Sequence, residues 1–234
     1  MQTPVPPWKK QGWVIPPKEN SDFVADMENV LDVYKRPYSR EFPVVCMDES
    51  PKQLIRETRT PLAPKPGRLE RCDYEYERCG VCNIFMASEP LAGRRRVGVT
   101  QRRTKLDWAR FIKEIAENYK DAKRITLVMD NLGTHKAGSL YEVFPPDEAK
   151  RIRDRFEFVY TPKHGSWLNI AEAELSVFTR QCLDRRIPTV AALRAQARHW
   201  YRERNATQKG VDWQFTTDDA RTKLHRLYPQ IQMS

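Results

Sequence analysis

Short apolar runs alternate along this chain with longer stretches whose apolar residues recur at helical spacing. PVVCMD at 43–48, RRRVGVT at 94–100, ITLVM at 125–129 and FEFVY at 156–160 are brief and rich in β-branched or aromatic residues, the pattern of buried strands. The segment 69–87 alternates and contains Gly80, which predicts a hairpin turning there with a second arm from Val81 to Ala87. A loop rich in proline and arginine is expected over about 50–68. Phe23, Met27, Val30, Leu31 and Tyr34 recur at helical spacing between Ser21, a candidate cap, and Pro37, which stops the run. A second helix is predicted over 104–121, with Leu106, Ala109, Phe111, Ile112, Ile115 and Ala116 on its inner side, and a helical stretch near 138–154. Leu168, Ala171, Leu175, Phe178 and Cys182 step by threes and fours, as a core-facing helix does, and further helices are expected over about 189–204 and 217–227. Five strands interleaved with these helices predict an α/β fold: a mixed five-stranded sheet with helices on both faces.

The first 20 residues read differently. Pro4, Pro6, Pro7, Pro16 and Pro17 surround Trp8 and Trp13, a density of proline that forbids regular helix and favours an extended arm. The predicted organisation is thus an arm over 1–20, one domain over 21–229 and a short tail at 230–234.

Composition narrows the class of function. The formal net charge is +10 and the pI about 9.4, which favours a polyanionic partner, nucleic acid first. No apolar run approaches the ~20 residues that span a bilayer, and the first residues lack the apolar core of a secretory signal. The expectation is a cytoplasmic, nucleoid-associated protein with no membrane partner. Five cysteines in such a chain do not form a disulfide framework. Cys72, Cys79 and Cys82 invite a zinc reading, but no fourth ligand follows at finger-like spacing, and free thiols are the expectation.

Three acids stand apart. Asp48 and Asp130 each close an apolar, β-branched run, and Glu172 lies near the start of a helical pattern. Three carboxylates delivered by two strands and a helix can hold two divalent cations, and such a pair cuts and joins phosphodiesters by in-line displacement. All-carboxylate ligands favour magnesium, with manganese as a substitute, over zinc. Glu174 competes with Glu172: at ~100° per residue the two point about 200° apart, and helix geometry leaves the choice open. Asn131 and His135 follow Asp130 in a tight polar connection suited to phosphate contact, and His164 is a further candidate DNA contact. Between Ser176 and Gly210 eight basic residues stand against two acids. Arg194, Arg198 and Arg202 form one i, i+4, i+8 stripe without acidic i+4 partners. Arg94, Arg95 and Arg96, with Arg102, Arg103 and Lys105, make a second basic patch suited to phosphates.

The strings VVCMDE, LVMDNLGTHKA and TPKHGSWLNIAEAEL resemble the three acidic motifs of DDE transposases, most closely the bacterial insertion-sequence branch related to the mariner transposases. The spacing suits that family: 81 residues separate Asp48 from Asp130, and 41 separate Asp130 from Glu172. The resemblance extends from about Trp8 to Pro229 and takes in DYEYERCG, EPLAGRRRV and DWQFTTDDAR. It implies a ribonuclease-H-like fold, magnesium, and cleavage followed by strand transfer of transposon ends into a target, on a homodimer bound to DNA. In that family the third acid follows a Leu-Asn pair by three residues, which selects Glu172 after Leu168-Asn169. Asp48 would then bridge two ions, with Asp130 and Glu172 each completing one coordination sphere. Relatives carry a helix-turn-helix region ahead of the catalytic domain, so a separate helix-turn-helix polypeptide is a further possible partner. A different nuclease on the same fold and a non-catalytic DNA-binding remnant are the rival readings.

Overall fold

The computed structural model describes residues 15–230 apart from Pro17, Glu70 and Thr134. Both tryptophans of the expected arm, and the tail from Ile231, lie outside the described residues. Five strands, β1 (Val44–Glu57), β2 (Tyr76–Glu89), β3 (Arg94–Thr100), β4 (Ile125–Met129) and β5 (Phe156–Tyr160), form one sheet in the order β3-β2-β1-β4-β5. β1, β2 and β3 are antiparallel neighbours, whereas β4 joins β1 and β5 joins β4 in parallel. Parallel pairing needs long crossovers. They are made by α2 (Lys105–Asn118) ahead of β4, and by α3 (Gly138–Tyr141) and α4 (Pro146–Arg153) ahead of β5.

Alternation along the central strands assigns the two faces. Val45, Met47, Phe85 and Ala87 point to one side and pack with Trp108, Phe111 and Ile112 of α2. Cys46, Ile84 and Met86 point to the other, where α1 (Ser21–Tyr34), α5 (Ile170–Phe178), α6 (Val190–Thr207) and α7 (Thr217–Lys223) cover the sheet. The expected stripe is fully engaged there, with Leu168, Ala171, Leu175, Phe178 and Cys182 all buried. The expected mixed sheet with helices on both faces is present. No helix of the described residues is long and apolar enough to cross a membrane.

Several local expectations are corrected. β1 continues to Glu57, so the first part of the expected loop is strand, and the connection to β2 starts at Thr58. Gly80 is not a hairpin turn. It lies inside β2 at a φ of 92°, opposite the point where the register with β1 shifts between Gln53 and Ile55. Glycine suits a bulge because the extra residue takes a positive φ. Asn20, rather than Ser21, caps α1 by accepting from the Phe23 amide. Leu106 is 41% exposed instead of facing the core. The single helical stretch near 138–154 is two helices, divided at Pro145-Pro146, where the second proline takes the first helical position.

Candidate active site

Asp48 lies within β1, and only the parallel pairing with β4 ends near it, at Cys46. By alternation it shares the α5 face of the sheet with Cys46, while Glu49 turns toward α2. Asp130 directly follows β4. Glu172 stands in the first turn of α5, where the helix dipole favours an anion. Asn169 sets that helix: its side-chain amide donates to the Met47 carbonyl at 2.8 Å, and its Oδ1 accepts from the Ala171 amide at 3.1 Å. One buried asparagine therefore caps α5 and pins its start to the residue preceding Asp48.

Asp48 feels the charge of the other two acids. Burial pushes the Asp48 carboxyl up to about 7, and the charges of Asp130, Glu172 and Glu49 push the same way, against a hydrogen bond from the Glu49 amide at 2.8 Å. Among the described residues no three His, Cys, Asp or Glu side chains close on a single point as a one-ion cage would. The hard carboxylate oxygens of Asp48, Asp130 and Glu172 are donors of the kind that suits magnesium or manganese.

Glu174 is elsewhere. It is 3% exposed and takes a forked pair of hydrogen bonds from Arg95 at 2.8 and 2.7 Å, with Arg204 at 3.2 Å. The two guanidinium groups outweigh burial and hold its carboxyl below the usual range. This is a structural ion cluster joining α5, β3 and α6. It corrects the placement of Arg95 among the DNA contacts, since that side chain is 2% exposed and fully engaged. Three consecutive arginines on a strand cannot share a surface, because alternate residues face opposite sides. Arg94 is exposed, and Arg96 is half-buried against Glu114 at 2.8 Å.

His135 is likewise corrected. With 0% of its side chain exposed it cannot touch a phosphate. Its Nδ1 sits 2.5 Å from Asp130 Oδ1, its Nε2 lies 3.4 Å from Glu49 Oε2, and its ring stacks on Trp108. Burial disfavours the charged imidazole, yet the Asp130 and Glu49 carboxylates prevail and raise it to about 9. Arg103 closes the chain, 3.1 Å from Glu49 Oε1. The remaining candidates, Asn131, His164, Arg102, Arg194, Arg198 and Arg202, are exposed. Sequence reasoning missed Glu49, Trp108 and the anchoring role of Asn169. For Asn169 the signal was present, as a capping residue three positions before the acid.

No curated protein matches the chain in sequence. Its fold is similar to that of a pre-cleavage Mos1 transpososome, with a TM-score of 0.55 and 11% identity over 96% of this chain and 68% of that one. The mariner Mos1 paired end complex with Mg gives a TM-score of 0.54 at 12% identity, covering 95% of this chain and 68% of that one. The complex with Mn gives 0.50 at 14%, covering 94% of this chain. This chain spans 63% of the length of the Mos1 chain in that complex. At these identities the likeness establishes the fold alone, a ribonuclease-H-like mixed sheet. Residues 43–194, from the start of β1 into α6, match the family model described as DDE superfamily endonuclease, and the chain belongs to that family.

Proposed function

We propose that this chain is the catalytic domain of a mariner-like transposase, in which Asp48, Asp130 and Glu172 hold two magnesium ions and DNA is cut and rejoined. The observation that carries this reading is that Asp130 at the end of β4 and Glu172 in the first turn of α5 both act by charge on the buried Asp48 carboxyl of β1. Bound divalent cations would activate a water or 3′ hydroxyl for in-line attack and stabilise the leaving oxygen. The chain's own groups prepare the site. His135 fixes one oxygen of Asp130, leaving the other free. Glu49 and Arg103 hold the far side of that imidazole, and Asn169 fixes the helix that presents Glu172. Transposon ends and target DNA are the proposed substrates, a homodimer on DNA the proposed assembly, and a separate helix-turn-helix polypeptide a proposed partner.

The test is metal-dependent nicking of DNA followed by strand transfer of a labelled 3′-hydroxyl end into a plasmid. Asp48→Asn, Asp130→Asn and Glu172→Gln are each expected to lower both reactions at least ~100-fold while preserving the fold, the scale set by removing one essential electrostatic group. Nicking without strand transfer would identify another nuclease on the same sheet. Protein that binds DNA but never nicks it would mark a non-catalytic remnant.

A further inference from the structure

The two basic patches of the sequence meet in space. A groove of about 830 Å³ runs over the edge strand β3 between α2 and α6. Arg102 and Arg110 stand on its α2 side, and Arg194, Arg198 and Arg202 on its α6 side, with Gly98 and Phe111 among its lining residues. Its acids are already committed: Asp107 to the Thr104 capping box and Glu114 to Arg96. Arg194 donates to the Val99 carbonyl at 3.0 Å. Among the described residues the side chains of Arg102, Arg110, Arg198 and Arg202 have no such partner. Positive charge on both walls, uncancelled from within, calls for a polyanion that enters the groove instead of resting on a flat face.

We propose that this groove seats a single DNA strand, the strand leading to or from the carboxylates; the proposal rests on the endonuclease reading above. The volume is that of about two or three nucleotides, within the ~300–1,000 Å³ of ordinary ligand pockets, and too small to enclose a duplex. The backbone would lie between the arginines, with the bases toward Tyr201 and the exposed Leu106. The path to the site is short: Arg103, next to Arg102, pairs with Glu49, which lies against His135 and through it reaches Asp130.

The test measures binding of a labelled single strand, and of a duplex of the same sequence, to the metal-free protein by fluorescence anisotropy across a salt series. The triple variant Arg110→Gln, Arg198→Gln, Arg202→Gln is expected to bind the single strand at least tenfold more weakly at low salt. Its log affinity should fall less steeply with log salt, by ~0.7 per lost contact. Duplex affinity should change under threefold, and Arg151→Gln, an exposed arginine on α4, should change neither. Since the three arginines are exposed and unpaired, the unfolding midpoint should not move, and circular dichroism verifies this. Wild-type affinity for the single strand in the triple variant, with metal-dependent cleavage intact in the wild type, would overturn the groove and leave the endonuclease reading standing. An equal loss on strand and duplex would also overturn it. Wild-type protein that neither binds nor cleaves DNA would sink both.

Discussion

Asp48 is the residue on which the site's electrostatic conflict falls. Its carboxyl is raised to about 7 by burial and by Asp130, Glu172 and Glu49, from an unfolded value of ~3.9. An acid raised on folding contributes its full stability below the unfolded value and loses it as pH climbs through the folded one. His135, raised to about 9, acts with the same sign in a higher window, complete below ~6.5 and lost toward 9. Stability of the metal-free protein is therefore expected to decline from about pH 4 to pH 9. Asp48→Asn should flatten the lower half of that decline and raise stability on the order of 1–2 kcal/mol near pH 8, read by urea unfolding. Metal-free stability that rises across this range would contradict the assignment. His135→Ala is expected to weaken Mn²⁺ binding, followed by the resonance of the free ion, by roughly 10–100-fold. His135→Asn, which keeps a donor where Nδ1 stands, should lose less. Asp48 and Asp130 were legible because an acid after a β-branched run breaks the pattern. His135 was read as a phosphate contact because its neighbours are polar, whereas its burial depends on Trp108, 27 positions away in sequence.

Among the elements, α5 shows why two glutamates two residues apart have different fates. Glu172 lies close enough to Asp48 to act on its carboxyl by charge, and Glu174 meets the buried Arg95 of β3 and the part-buried Arg204 of α6. Breaking a buried, forked ion pair leaves an uncompensated charge, so Glu174→Gln is expected to cost about 3–5 kcal/mol of unfolding free energy. Glu172→Gln should leave stability nearly unchanged and remove cleavage. Denaturation and nicking assays run together separate the two, and equal instability in both variants would mean that Glu172 is structural as well. Helix periodicity alone could not distinguish them, because both flank the apolar stripe; the deciding partner, Arg95, is 79 residues away. β3, β4 and β5 were legible to the residue because they are short and rich in β-branched or aromatic residues. The outer half of β1 was not. Pro51, Lys52 and Gln53 carry no alternation, and that stretch is held by its ladder to β2 instead of by a buried face.

At the scale of the molecule, the net charge of +10 is unevenly used. Some arginines are consumed in the core and in surface ion pairs, and part of the uncancelled remainder gathers along α6 and the end of β3. Charge was readable from composition, but its concentration into one groove was not, because the two patches lie about a hundred positions apart and meet only once β3 becomes the edge under α6. A different long-range closure joins the beginning and end of the described fold. The Asn20 amide donates to the Leu227 carbonyl at 2.9 Å, while Glu28 takes Arg221 at 2.9 Å and the Tyr228 hydroxyl at 2.9 Å. Polypeptide arriving at Asn20 and polypeptide departing after Tyr228 therefore share one point on the surface. A module fused at either end would swing from the same anchor, and a circular permutant reopened in the exposed connection between β1 and β2 should fold with the same sheet order.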